Sequence, residues 1–77
     1  MARVQLAGSR FSPRQAAVIS ALQAYTGIGM VEARRIATRV IEGGKATVHI
    51  EDPDQAYNLA TELTALGVNA EADEGDD

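Results

Sequence analysis

The 77-residue sequence lacks cysteine and tryptophan and contains one histidine. Without cysteine, the chain can form no disulfide, no zinc finger and no thiol nucleophile. No run approaches the roughly 18 apolar residues of a membrane span, and the N-terminus lacks the apolar core of a signal peptide. We therefore expect a cytoplasmic protein with no membrane attachment, no metal and no cofactor.

Basic residues are missing from the second part of the chain. Residues 46–77 contain nine acidic residues and no lysine or arginine, a charge of −9, whereas residues 1–45 contain seven basic and two acidic residues, a charge of +5. The two parts together give the net charge of −4. This polarity favours a surface that attracts a charged partner. The alternative is an ordinary solvated surface with an acidic tail at 74–77, which we expect to be disordered because it contains no apolar residue.

Aromatic residues are also scarce, so the core must be built from alanine, valine, isoleucine and leucine. Alternating and helical spacings of these residues predict a single domain, residues 1–73, with the order β-α-α-β-α-β. The predicted strands are 3–7, 45–50 and 68–72, and the predicted helices are about 13–25, 30–42 and 53–66. The order indicates an α+β fold in which three helices pack on one face of a three-stranded, antiparallel-type sheet. An open sheet leaves two edges, so the chain is expected to be a monomer or a homodimer.

Several residues mark the ends of the helices. Two helix starts combine a capping residue, a first-turn proline and a glutamine, namely Ser12, Pro13 and Gln15, and Asp52, Pro53 and Gln55. Gly27 is expected to end the first helix in the left-handed conformation. In the second helix, Met30 and Ala33 are expected to face the core.

Groups suited to catalysis are sparse. His49 alternates with Val48 and Ile50, so we expect it to be exposed on the sheet, where surface decoration is the simpler interpretation than a general base. Glu51, Asp52 and Asp54 do not have the spacing of a calcium loop. We therefore expect that the protein is not an enzyme.

The stretch "TGIGMVEARRI", Thr26 to Ile36, has three possible interpretations. It is not a dinucleotide-binding loop, because the third glycine is absent and a helix precedes it. It does resemble the helix-hairpin-helix family, which implies that amides near Gly27 and Gly29 contact nucleic-acid phosphates, with Arg34 or Arg35 adding charge. Nucleic acid is nevertheless disfavoured by an isoelectric point near 4.8. The third possibility is that the glycines permit two helices to pack closely.

A longer resemblance covers most of residues 3–73. The segment "AVISALQAYTGIGMVEARRI", Ala17 to Ile36, resembles the C-terminal domain of the bacterial ribosomal stalk protein, in which a V-I-x-A-[VL] helix is followed by T-G-[LI]-G-[LM]-x-E-A-[KR]. The resemblance resumes at "DQAYNLATELTALGVNAE", Asp54 to Glu71. It implies the same β-α-α-β-α-β order and a non-catalytic domain that docks translational GTPases, such as elongation factors Tu and G, through its first two helices.

The sequence departs from that family where the family is basic. Arg34 keeps the charge in register, but other basic positions are replaced, by Gln15, Ser20, Gln23 and Val31. The 77 residues also contain no counterpart of the family's dimerisation domain, so we do not expect the usual anchoring to a ribosome. The leading strand, the "SP" helix start and the length resemble the Clp protease adaptor family, but "AGSR", Ala7 to Arg10, replaces the motif that implies degradation-signal binding there.

These observations predict a protein-interaction module that docks another protein through its first two helices. The partner implied by resemblance is a translational GTPase, or else a protease or chaperone subunit if the chain is an adaptor or inhibitor. The predicted partner-binding residues are Ile19, Gly27, Gly29, Val31, Arg34, Arg35 and Arg39. In this interpretation the glycines set the close approach of the helices, the apolar residues give contact area, and the arginines pair with partner carboxylates. The alternative is that Glu32, Glu42 and the acidic tail neutralise the arginines.

Overall fold

The computed structural model describes residues 2–10 and 14–73, and six elements follow one another in the predicted order. They are β1 (Ala2–Ser9), α1 (Gln15–Thr26), α2 (Met30–Ile41), β2 (Lys45–Ile50), α3 (Pro53–Ala65) and β3 (Val68–Asp73). The predicted α+β fold with three helices and a three-stranded sheet is thereby confirmed. The expected acidic tail, 74–77, lies outside the described residues.

The sheet has the order β2-β1-β3, and β1 pairs antiparallel with both neighbours. Side chains alternate along β1, where Ala2, Val4 and Leu6 are buried and Gln5 and Ala7 are exposed. The first set faces the helices, which contact the strands from that side. The other face of the sheet is open and polar, which explains the exposure of residues such as His49.

β1 bulges close to its C-terminal end. Leu6 lies opposite Ala70 and Ser9 lies opposite Val68, so β1 contains one residue more than β3 between these two pairs. Gly8, inside the bulge, has a φ of 76°, which side chains rarely tolerate. Beyond the bulge, the Arg10 amide donates to the Gly67 carbonyl at 2.7 Å. The strand predicted over residues 3–7 therefore continues through the bulge to Ser9.

The core is aliphatic and lies between the helices and the sheet. All three helices contribute fully buried side chains. The largest are Leu6, Leu22, Leu59, Leu63, Val4, Val18, Val40 and Val68. Among the described residues, no polar or charged side chain is buried, so the domain is held together mainly by apolar burial at about 25 cal/mol per Å².

The helix starts differ in part from the predictions. The Asp52 carboxylate accepts from the Asp54 amide at 2.9 Å, which confirms the cap of α3, but Gln55 makes no side-chain hydrogen bond. Ser12 and Pro13 lie outside the described residues. The capping box predicted for Gln15 needs Ser12 and therefore also lies outside the described residues; the side-chain amide of Gln15 donates to Thr38 Oγ1 at 2.9 Å and ties α1 to α2.

Candidate functional site

The joint between α1 and α2 is a short connection whose polar groups are satisfied locally. Gly27 has φ 73° and ψ 10°, the predicted left-handed conformation, and its amide donates to the Gln23 carbonyl at 3.0 Å. The Thr26 hydroxyl donates to the Leu22 carbonyl at 2.6 Å and accepts from the Ile28 amide at 3.2 Å. This network fixes the direction in which α2 leaves the joint.

The role predicted for the two glycines is wrong in one respect. A Cβ atom added at Gly27 or at Gly29 would meet no other atom within 4 Å. Neither glycine therefore sets the close approach of the helices. Gly27 is explained by its positive φ, whereas Gly29, with φ −72° and ψ 164°, has backbone angles open to any residue.

Small buried alanines have the role that was predicted for the glycines, which is to allow the close approach of α1 and α2. Ala21 of α1 and Ala33 and Ala37 of α2 are buried to 2% exposure or less. Apart from Val40, Ala33 and Ala37 are the only buried residues that α2 contributes. Alanine keeps neighbouring backbones close, so these three residues allow α2 to lie against α1 and the sheet.

The outer side of α2 combines cations with exposed apolar surface. Val31 is 74% exposed and Met30 is 53% exposed, and they are two of three large apolar residues exposed to this extent in the described chain. The residues that line a shallow hollow of about 440 Å³ are Val31, Arg34, Arg35, Thr38, Arg39 and Glu42. We call this surface the arginine face. The exposure of Met30 corrects the prediction that it faces the core; it is the first residue of α2, where the helix has only just begun to cover the sheet.

The arginine face has no acidic partner within the described part of the chain. The ion pair found in the described residues joins Arg3 to Asp73, at 2.9 Å, on the open face of the sheet. None of the three arginines of α2 forms an ion pair with a described residue. Glu32 and Glu42 lie on the same helix and do not pair with them. The structure thus does not show the neutralisation by these two glutamates that we considered as the alternative.

The predicted partner-binding residues are only partly brought together. Val31 and the three arginines share the arginine face, and Gly27 and Gly29 lie in the joint just before it. Ile19 is half-buried in α1 and packs against the core, so it offers less free surface than predicted. Met30 is the residue that sequence reasoning missed, and its position at the start of the helix was the available signal.

A polar link joins α1 to α3 on another side of the molecule. The Tyr25 hydroxyl donates to Glu62 Oε1 at 3.2 Å. Partial burial, this hydrogen bond and the negative charge of Glu62 together raise the pKa of the Tyr25 phenol above its ordinary value of 10.0. The folded state therefore favours the protonated phenol, which is the donor in this hydrogen bond.

The remaining chemistry of the described residues is modest. His49 is exposed and lines a hollow of about 380 Å³ together with Tyr25 and Asp52. In residues 2–10 and 14–73, no three histidine or carboxylate side chains form a group that could hold a metal ion. In the same residues no helix has the length and apolar character needed to cross a membrane.

Comparison with known proteins adds no family. No protein-family model matches the chain, and no curated protein is significantly similar to it.

Proposed function

We propose that this protein is a non-catalytic interaction module that docks a partner protein through α1 and α2, with the arginine face as the centre of the contact. The observation that carries the proposal is that Val31 lies in one hollow with three arginines that have no acidic partner in the described chain. Arginine is enriched at protein interfaces, and exposed apolar side chains beside it supply the contact area. A partner with an acidic patch around a small apolar site fits this surface.

The resemblance to the ribosomal stalk C-terminal domain supports the same surface. It implies docking through the first two helices, and the element order observed here is the order it implies. A translational GTPase is therefore the first partner class to test. An adaptor or inhibitor that delivers or blocks a protease or chaperone subunit through the same helices is the second.

The decisive variant is the double reversal Arg34→Glu with Arg35→Glu. Both side chains are exposed and unpaired among the described residues, so the reversal is expected to leave the fold and its thermal unfolding nearly unchanged. Binding should be lost, because two attractive contacts become repulsive. Affinity capture from a bacterial lysate with both proteins as bait, followed by mass spectrometry and by titration of the purified partner, measures this.

Two matched controls separate charge from place. Lys45→Glu is compared with the single variant Arg35→Glu, since each changes the net charge by two, but Lys45 lies on β2 at the open face of the sheet; Lys45→Glu should leave capture unchanged. Arg34→Lys with Arg35→Lys keeps the charge and removes the planar fork, and it should weaken binding only partly. Equal capture by wild type and double reversal would refute the proposal.

The nucleic-acid alternative predicts a different result. Short duplexes would bind with an affinity that falls steeply as salt rises, by roughly 0.9 log units per phosphate contact for each log unit of salt. Such binding, lost in Arg34→Glu with Arg35→Glu and without any captured protein, would replace the docking proposal.

A further inference from the structure

A second surface lies between α3 and the outer edge of β3. It contains no residue of α2, the helix that carries the arginine face. Two hollows of about 320 and 310 Å³ meet there at Tyr57 and Ala72. We call their combined lining the strand-edge groove. It includes Asp54, Tyr57 and Thr61 of α3 and Glu71, Ala72 and Asp73 of β3.

The groove is bordered by the backbone of an edge strand. β3 pairs with β1 on one side only, and no described segment pairs with its other side. An edge strand presents a row of unpaired amides and carbonyls, which an added extended segment can satisfy. Alternate side chains of such a segment would point toward α3, where the alanines and threonines leave room for them.

Tyr57 is the third large apolar residue that is strongly exposed in the described chain, at 68%. It stands at the point where the two hollows meet. A tyrosine ring in this position can cover an aliphatic side chain of a bound segment or stack against a cation. The groove thus has both a backbone edge and an aromatic contact, which a plain solvated strand edge lacks.

The charge of the groove selects the occupant. Its charged lining residues are Asp54, Glu71 and Asp73, and none of its lining residues is basic. Asp73 is already held by Arg3 and Gln5, at 2.9 and 2.8 Å, which leaves the other two carboxylates to face a ligand. A second copy of the chain pairing through its own β3 would bring the same acids together, which is unfavourable.

We propose that the strand-edge groove binds an extended basic segment of another protein, which adds to the sheet as a fourth strand beside β3. Its lysine or arginine side chains lie on the open face of the sheet near Glu71, and its intervening small or branched apolar side chains lie on the α3 side against Tyr57 and the alanines. This site does not involve the arginine face, so the test of this proposal is independent of the test of the proposed docking function.

The test uses the whole protein and a synthetic peptide, at least as long as β3, in which lysine and valine alternate. Fluorescence polarisation gives the affinity, and amide hydrogen exchange followed by NMR gives the place. We expect the peptide to slow exchange at alternate amides of residues 68–73. A peptide of the same composition with its lysines and valines in two separate blocks should bind at least several-fold more weakly, because it cannot alternate across the edge.

Glu71→Lys is the variant that probes the site. It should weaken the alternating peptide about tenfold, because it turns an attraction into a repulsion of similar size, about 1.4 kcal/mol in all. Glu32→Lys is the matched control, since it changes the net charge equally but lies in the first turn of α2, outside both the groove and the arginine face; it should leave the affinity within twofold. Thr61→Arg, on the exposed side of α3, should weaken binding by obstructing the groove without altering β3.

Three outcomes would overturn the proposal. The first is equal weakening by Glu71→Lys and Glu32→Lys, which would show unspecific attraction to an acidic protein. The second is exchange protection on α1 and α2 instead of β3. The third is protection of β3 in the absence of peptide that increases with protein concentration, which would show that a second copy occupies the edge.

Discussion

At the scale of single residues, the glycines of the helix joint have different reasons to be there. Gly27 needs its left-handed backbone, whereas Gly29 precedes α2 as a capping residue without a side chain to cap it. The first amides of α2 therefore receive no side-chain cap. The stretch Gly27–Gly29 thus contains one glycine that the backbone conformation requires and one that it does not require.

We predict opposite effects on stability at these two positions. Gly27→Ala should lower the free energy of unfolding by roughly 1 kcal/mol, because alanine disfavours φ 73°. Gly29→Ser should raise it by a few tenths of a kcal/mol, because serine is a better capping residue. Urea unfolding measures both. A destabilising Gly29→Ser would show that the joint demands glycine for a reason other than backbone angles or space.

Gly44 is the glycine at which space is short. A Cβ atom there would lie 2.8 Å from Arg39 Cγ and 2.9 Å from the Arg39 carbonyl oxygen, which accepts the Gly44 amide at 2.8 Å. The sequence marks Gly43 and Gly44 equally as a helix stop. Only the structure shows that the second of them lies against the backbone of α2.

Gly44→Ala is expected to destabilise the protein by about 1–3 kcal/mol, the usual cost of overpacking. Adding Arg39→Ala removes the side-chain half of the clash but leaves the carbonyl oxygen in place. The double variant should therefore recover only part of the loss. Full recovery in thermal or urea unfolding would mean that the flexible arginine stem was the whole obstacle.

At the scale of elements, the helices and strands follow from the spacing of apolar residues. Alternation such as Val4 with Leu6, and the helical recurrence of Leu59 and Leu63, predicted all six elements to within about two residues at each end, because burial on one face imposes that period. The bulge of β1 escaped prediction. Its extra residue depends on the register with β3, which is set by partners far away in the chain.

The candidate site was less predictable than the fold. The outward direction of the arginines follows from helical spacing, but the absence of an acidic partner near them is a matter of distance between side chains. Glu32 and Glu42 are close in sequence to those arginines and yet do not pair with them. The strand-edge groove was invisible to the sequence because it is formed by residues of α3 and β3 whose positions depend on how the two elements pack.

The packing of α2 gives an element-scale prediction. Ala37 is fully buried, so Ala37→Leu should force α2 away from its neighbours and lower the free energy of unfolding by about 1–3 kcal/mol. Ala24→Leu on the exposed side of α1 makes the same chemical change in a helix and should have an effect within 0.5 kcal/mol. Equal effects of the two variants, measured by urea unfolding, would contradict the role given to the buried alanines.

At the scale of the whole molecule, basic and acidic side chains are divided between two surfaces. The described cations of α2 form the arginine face, while the strand-edge groove, built from α3 and β3, has only acidic ionisable groups. The net charge of −4 conceals this division. Two surfaces of opposite charge allow one small domain to contact an acidic and a basic partner at different places.

The link between Tyr25 and Glu62 couples the stability of the whole domain to alkaline pH. Because the pKa of the Tyr25 phenol is raised in the folded state, the folded protein retains a proton that the unfolded chain releases near pH 10. The corresponding stability is present below pH 10 and is lost as the pH rises through the higher folded pKa. Urea unfolding at neutral pH and between pH 9 and 11 should show this loss.

Two variants test that assignment. Tyr25→Phe should flatten the alkaline decrease in the free energy of unfolding, since no phenol remains at that position. Glu62→Gln keeps an acceptor and removes the charge, so it should reduce the decrease without abolishing it. An unchanged slope in Tyr25→Phe would show that other groups are responsible.

The central position of β1 has a consequence for how the chain folds. β1 is the first of the six elements to be synthesised, and β3 is the last, yet the two are direct neighbours, with Arg3 opposite Asp73. The apolar side chains of β1 therefore lack their contacts in the complete sheet until every helix and β3 have been synthesised. Contacts between residues so distant in the chain slow folding, and on a ribosome they delay it until the last strand has left the exit tunnel.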